Sequence, residues 1–368
     1  MRIVAVQTGL EADSVLGGEI TDREFLTRLA DRGVQLHVLA TEGHEIVQHR
    51  NLVPHYYKRR FYRRVPYSAN LDVAIDLRHL LAELGRVDWV RFNSPYSVGI
   101  GTVAAARRHR IWGSYLHCED DRFWRWTDSW LPKRCALVTC LSEDTRRDVL
   151  QRCPGVDRSR VTVVPLGIDT TRHDNGGRPR DQIRAELGFA ATDIVILFAG
   201  LAVARKGIPE LIAAWQLLGN GRPIRLLIIS KPVAPYESEL IATLTRSDSR
   251  VKHLTRVAYE RMPEYFRASD IFFFPTRREG FGLVLGEAMA NGLPVATTRA
   301  RGVREVVAEN ETALLADVGD VQQLAANLER LIQDRELRRQ LGTAGRERVT
   351  RMFRWDTIID ALLGTLAQ

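Results

Sequence analysis

The sequence predicts a doubly wound α/β protein in two similar halves. Short apolar runs alternate with helical stretches almost from end to end, and several runs are apolar at consecutive positions, as strands covered on both faces are. At 368 residues the chain exceeds one ordinary core, so two domains of roughly 150–200 residues are expected.

In the first half, Ile3–Val6 reads as a strand, residues 19–31 as an amphipathic helix, and Val34–Ala40 as a strand after the stop at Gly33. Val87–Phe92, Ile111–Leu116, Ala136–Leu141 and Val161–Val164 continue as strands with helical segments between them. Asp169–Arg180 is polar, contains Gly176 and Gly177, reaches Pro179 and lacks any helical or strand period. It is the expected linker, dividing residues 1–170 from 171–354. The second half repeats the scheme with Ile194–Ala199, Ile224–Ser230, Val251–Leu254, Ile271–Phe274 and Pro294–Thr297. Asp356–Leu366 closes the chain with a helical stripe of Ile358, Ile359, Leu362, Leu363 and Leu366.

Composition is that of an ordinary globular protein, 45% apolar and 27% charged, and no run of about 18 apolar residues predicts a membrane span. The first residues enter Arg2-Ile3-Val4-Ala5-Val6 without a signal-peptide pattern, and Cys118, Cys135, Cys140 and Cys153 have no metal-type spacing. A cytoplasmic protein with reduced thiols is the expectation. The net charge of +8 favours anionic partners, and Lys58 to Arg64 holds five cations in seven residues beside Tyr56, Tyr57 and Tyr67. A solvated basic loop is the plain reading; a peripheral contact with an anionic membrane or a phosphorylated acceptor is the functional one, and nucleic acid is not expected.

The strongest chemical signal lies between Glu279 and Glu287, in Glu279-Gly280-Phe281-Gly282-Leu283-Val284-Leu285-Gly286-Glu287. It follows the run Ile271–Pro275 and leads to Gly292-Leu293-Pro294-Val295, so it reads as strand, glycine turn, helix, turn, strand. Gly280 and Gly282 allow backbone N–H groups to approach a ligand at a helix start, where anions are favoured. One carboxylate before the helix and another about two turns into it suit a hydroxyl-rich ligand, which suggests a nucleotide-sugar site. A second cluster, Gly200-Leu201-Ala202-Val203-Ala204-Arg205-Lys206-Gly207, follows the strand Ile194–Ala199. Fixed cations there would stabilise charge developing on a departing diphosphate. No G-x-G-x-x-G follows the first strand, which argues against a nicotinamide enzyme.

The segment from Ser269-Asp270-Ile271 through Ala296 resembles the signature of glycosyltransferase family four, retaining enzymes of the GT-B fold with two Rossmann-like domains and an interdomain cleft. Val163-Val164-Pro165-Leu166-Gly167-Ile168-Asp169 and Leu141-Ser142-Glu143-Asp144-Thr145-Arg146 also resemble family segments. The resemblance is dense over about residues 136–355. It implies a donor-nucleotide domain in the second half, an acceptor-side domain in the first, and a terminal helix, 355–368, crossing back onto the first through Phe353-Arg354-Trp355.

By the same resemblance, Glu279 would contact donor-sugar hydroxyls with the N–H groups of Phe281 and Gly282, beside Leu283, and Glu287 would hold the ribose. Lys206 matches the family's lysine, but Leu201 stands where the family has an arginine; Arg205 either supplies that charge or leaves the site weaker. His117 occupies a position where the family often carries a histidine facing the donor sugar. Gly17-Gly18 resembles the glycine loop that approaches phosphates and acceptor, with Glu19 next to it. Glu119, Asp120 and Asp121 read as an acidic helix start, and no metal site and no cofactor are expected.

The expectation is a retaining, metal-independent hexosyltransferase moving a sugar from a nucleoside-diphosphate donor, UDP- or GDP-linked, to an acceptor hydroxyl. Small molecules, glycans and lipid-linked glycans are the candidate acceptors, in cell-envelope or natural-product glycoside biosynthesis. Alternatives on the same scaffold are a sugar-phosphate synthase, a phosphorylase, or a nucleotide-sugar-binding subunit without catalysis.

Overall fold

The structure, a computed structural model, describes residues 1–7, 17–43, 46–60, 69–116, 122–174 and 177–368. The chain divides into two compact units, Met1–Leu166 with Thr357–Gln368, and Gly167–Asp356. The boundary expected at residue 170 thus falls a few residues earlier, and the return expected at 355 falls at Thr357.

The described strands of the first unit are β1 (Arg2–Val6), β2 (Gln35–Thr41), β3 (Leu52–Tyr57), β4 (Trp89–Phe92), β5 (Ile111–Tyr115), β6 (Leu137–Cys140) and β7 (Val161–Val163). They form one parallel sheet in the order β3-β2-β1-β4-β5-β6-β7. The chain winds outward from β1 to β3, then restarts on the other side of β1 at β4. β1 is buried from Ile3 to Val6 and β5 along its whole length, so their apolar runs reflect cover on both faces. The terminal helix Trp355–Leu366 docks on this unit: Trp89 Nε1 donates to the Leu366 carbonyl at 3.1 Å, and Arg32 pairs with Asp360 at 2.8 Å.

β3 was not expected from the sequence. Leu-Val-Pro-His-Tyr-Tyr carries Pro54, which removes a ladder donor and argues against a central strand. The structure places it at the sheet edge, where that loss is tolerated, with Val38 paired to Pro54.

The second unit holds β8 (Ile194–Ala199), β9 (Ile224–Ile229), β10 (Val251–Leu254), β11 (Ile271–Phe274), β12 (Val295–Thr298) and β13 (Ala313–Ala316), parallel in the order β10-β9-β8-β11-β12-β13. Phe198, Phe272 and Phe274 pack ring to ring at 5.8–5.9 Å in its core. β13 also went unpredicted, because Ala-Leu-Leu-Ala favours helix by intrinsic propensity; pairing of its four residues with β12 overrides it. The expected featureless linker is corrected too. Thr170–Asp174 is a short helix whose start is set by Asp169, whose Oδ1 accepts the backbone N–H groups of Thr171 and Arg172, each at 3.2 Å.

Here the winding reverses between β8 and β11. In open parallel sheets such a reversal leaves a crevice at the carboxyl ends of the two strands, where ligands bind. Among the described residues, no helix is long and apolar enough to cross a membrane.

Candidate donor site at the carboxyl ends of β8 and β11

Both chemical clusters of the second half leave the sheet at that reversal. After β8, Ala204–Lys206 makes a single 3-10 turn and Gly207 starts the helix Ile208–Leu217. Gly207 has φ +72°, and a Cβ there would lie 1.8 Å from the Pro275 carbonyl oxygen, so conformation and space both require glycine. The loop after β11 runs alongside: the Arg277 N–H donates to the Arg205 carbonyl at 2.8 Å. The Arg277 side chain grips buried Glu210 at 2.6 Å. The two exit loops are thereby fastened to each other.

Within this frame Lys206 Nζ lies 2.7 Å from Oε1 and 2.9 Å from Oε2 of Glu279. The Thr276 hydroxyl is also 2.7 Å from Glu279 Oε1, and Arg205 Nη1 approaches Oε2 at 3.6 Å. Side-chain exposure is 7% for Glu279, 12% for Lys206 and 49% for Arg205, so the first two are an interior pair and the third stands at the rim. Burial pushes the Lys206 ammonium below the ordinary lysine value, opposed by Glu279 and assisted by Arg205. Its ammonium also sits 4.9 Å from the Phe274 ring centre. Glu279 therefore has a task beyond the one expected from the sequence: it keeps a buried lysine charged. Leu201 is half-buried.

Gly282, at φ +83°, caps the helix Leu283–Ala290, which Leu283 opens. Phe281 turns its ring inward, 5.4 Å from Phe353, which leaves its backbone as the part able to serve a ligand. Because the helix starts at Leu283, Glu287 stands about one turn in, not two. Its carboxylate is nearly buried and accepts the Tyr259 hydroxyl at 2.7 Å. Lys206, Arg205 and Glu279 are thus brought together, while Glu287 is engaged by a residue outside the expected set. Thr276, Arg277, Glu210 and Tyr259 were not singled out from the sequence.

In the first unit, Gly17 and Gly18 open the helix Gly17–Asp31. That helix is anchored beneath by a buried ion pair, Arg91 Nη2 to Asp22 Oδ1 at 2.5 Å, with Gln7 also bonded to Asp22. Arg91 Nε reaches Ser114 at 3.1 Å, and its guanidinium lies 5.0 Å from the Phe25 and Trp112 ring centres. His117 and Glu119–Asp121 lie outside the described residues, as do Cys118 and residues 61–68 of the basic loop. Within that loop's described part, Arg60 is paired bidentately with Asp76 at 2.8 Å, which absorbs one of its charges. Cys135, Cys140 and Cys153 are buried thiols, and no group of three potential metal-binding side chains occurs among the described residues.

Residues 179–348 match the family described as glycosyl transferases group 1, and residues 16–172 match glycosyltransferase family 4; together the matches take in most of the chain. The chain is 32% identical over 241 residues to a D-inositol 3-phosphate glycosyltransferase of Xylanimonas cellulosilytica, covering 63% of this chain and 57% of that protein. The aligned region therefore spans little more than half of that relative. It is 25% identical over 351 residues to the capsular polysaccharide biosynthesis glycosyltransferase CapM of Staphylococcus aureus, covering 90% of this chain and 88% of CapM. Among solved structures, sucrose-phosphate synthase from Thermosynechococcus elongatus superposes with a TM-score of 0.86 at 21% identity, covering 100% of this chain and 98% of that one. Anabaena HepE, solved with UDP and glucose, gives 0.83 at 19%, covering 100% and 99%. Two Rossmann-like parallel sheets and these matches agree: the chain belongs to the glycosyl transferases of group 1 and family 4, with the GT-B fold.

Proposed function

We propose that this glycosyltransferase transfers a hexose-type sugar from a nucleoside-diphosphate donor to an acceptor hydroxyl with retention of anomeric configuration and without a divalent metal. The observation that carries the reading is the buried Lys206–Glu279 pair with Arg205 at its rim, fixed where the β8 and β11 loops meet.

A departing nucleoside diphosphate gains negative charge as the glycosidic bond breaks. An ammonium held in place in a poorly hydrated site stabilises that charge more than it stabilises the intact donor. Glu279 keeps the lysine charged before the donor arrives, and the N–H groups of Phe281 and Gly282 precede a helix start that favours negative groups. Glu287, on this reading, accepts ribose hydroxyls. With the leaving phosphate stabilised by side-chain cations, that phosphate can take the acceptor proton on the face it departs from, which retains configuration.

A structural neighbour supports a nucleotide-sugar donor: Anabaena HepE was solved with UDP and with UDP-glucose. A phosphorylated acceptor is the second reading. Its support is the D-inositol 3-phosphate glycosyltransferases and the sucrose-phosphate synthase among the similar proteins, together with the excess of basic residues. Thermal-shift measurement across UDP-, GDP-, ADP- and dTDP-sugars identifies the donor, since a ligand that binds the native state raises its stability. The anomeric configuration of the product, determined by NMR with and without EDTA, then tests the rest. An inverted product, or activity abolished by EDTA and restored by a divalent ion, refutes the proposal.

A further inference from the structure

The geometry points to Tyr259 as the residue that positions Glu287 for the nucleotide's ribose, held in place by Arg172; this rests on the donor-site reading above. Tyr259 lies in the turn Tyr259–Arg261 that follows β10, and its hydroxyl donates to Glu287 Oε1 at 2.7 Å. The Arg172 guanidinium stacks over the Tyr259 ring at 4.7 Å, from the short helix Thr170–Asp174 that Asp169 caps. Residues from three segments far apart in sequence thus form one chain of contacts, from Arg172 to Tyr259 to Glu287.

A glutamate buried to this extent needs a donor, since an ionised carboxylate without one is costly away from water. The phenol supplies one as a neutral group, without adding a charge beside the carboxylate. A carboxylate has about four acceptor positions, of which the phenol takes one. The bond also fixes the side-chain torsions of Glu287 before the ligand arrives, removing an ordering cost that a free glutamate would meet on binding. Arg172 restrains the ring in turn, because a guanidinium over an aromatic face is attracted to it. Tyr259 is a positioning residue on this view: it acts on the ribose through Glu287.

The test compares each ribonucleotide UDP, GDP and ADP with its 2′,3′-dideoxy counterpart by calorimetry, using the pair whose ribose member binds wild type most tightly. Wild type is expected to prefer the ribonucleotide. Tyr259→Phe keeps the ring under Arg172 and removes only the donor. It is expected to weaken the ribonucleotide about tenfold and leave the dideoxy nucleotide nearly unchanged, so the preference collapses. Weakening both nucleotides equally would mark a merely structural role, and an unchanged or stronger ribose preference would also overturn the inference. Should Tyr259→Phe fail to fold, Arg172→Gln carries the same comparison, with a smaller loss of preference expected. If wild type itself does not distinguish the two sugars, the assignment of Glu287 to the ribose fails, and this inference fails with it.

Discussion

Replacing Lys206 by Met separates the structural from the chemical part of the donor site. The substitution keeps an unbranched side chain of similar length and removes the ammonium that lies 2.7 and 2.9 Å from the two Glu279 oxygens. Glu279, at 7% side-chain exposure, is then left as a buried anion short of its main cation. Breaking a buried pair on one side commonly costs about 3–5 kcal/mol. Thr276 and Arg205 remain within 2.7 and 3.6 Å, so a value near the lower end, about 2–4 kcal/mol, is expected here. In a thermal melt of the second unit this corresponds to a fall of about 5–12 °C. The double variant K206M/E279Q removes both charges and should recover most of that loss, because no unpaired charge is then buried. Activity should behave differently: losing a fixed charge aimed at a developing anion costs about 10²–10³ in kcat, and the double variant should not restore it. Melting curves and steady-state kinetics on wild type and three variants, K206M, E279Q and the double, complete the cycle. A K206M enzyme within tenfold of wild-type kcat, or a double variant that regains activity with stability, would refute the assignment of Lys206 to the departing diphosphate. The same logic gives a pH signature. Burial depresses the lysine, so its loss of charge, and with it activity, should fall on an alkaline limb below the ordinary 10.5; K206R should move that limb upward.

Two further outcomes follow from the geometry. Asp128 is fully buried, bonded to Arg152 at 3.1 Å and Tyr96 at 3.2 Å, and burial pushes its carboxyl up to about 6 despite the opposing Arg152. With the folded value above the unfolded one, this group's contribution is fully present below about 4 and is lost as pH rises through about 6, by up to about 3 kcal/mol. Denaturant titrations between pH 4.5 and 7.5 should show D128N gaining on wild type as pH rises, and a flat or falling difference would contradict the burial argument. Gly207→Ala places a methyl 1.8 Å from the Pro275 carbonyl at φ +72°. It should destabilise by more than the ~1–2 kcal/mol of left-handed strain alone and weaken nucleotide binding, and a variant with wild-type affinity would show that the loop tolerates displacement.

How much of this was legible beforehand depended on whether the signal was local. β8 and β11 were read at their observed bounds because each is a continuous apolar run between polar segments, with two covered faces behind the pattern. β3 and β13 were missed because Pro54 and the Ala/Leu content of residues 313–316 point elsewhere locally, and only the neighbouring strand makes them extended. The donor site divides in the same way. Glu279, Gly282 and Glu287 occupy one continuous stretch whose order of turn and helix can be read directly. Their partners cannot: Lys206 meets Glu279 across 73 positions, Arg277 meets Glu210 across 67, and Tyr259 meets Glu287 across 28. A single sequence carries no record of such pairings. Tyr259 in particular sits in a polar loop with nothing local to distinguish it.

The least expected feature of the sequence, Leu201 in place of an arginine, takes on a physical sense beside the turn that follows it. In the single 3-10 turn Ala204–Lys206, successive side chains project about 120° apart, so neighbouring residues cannot share one environment. Lys206 is directed inward, against Phe274 and Glu279, and Arg205 outward to half exposure, still within 3.6 Å of the same carboxylate. The two cations are therefore unlike in function. The inner one is fixed and desolvated, which makes it effective against charge developing close by and also makes its own ionisation dependent on Glu279. The outer one is a planar guanidinium at the rim, mobile enough to follow a diphosphate. This supports the reading that Arg205 supplies the charge absent at Leu201. On the proposed reading the departing phosphate needs a second cation within a few ångströms, and the turn, pinned by Gly207 and by the Arg277 N–H, sets the backbone from which Arg205 reaches.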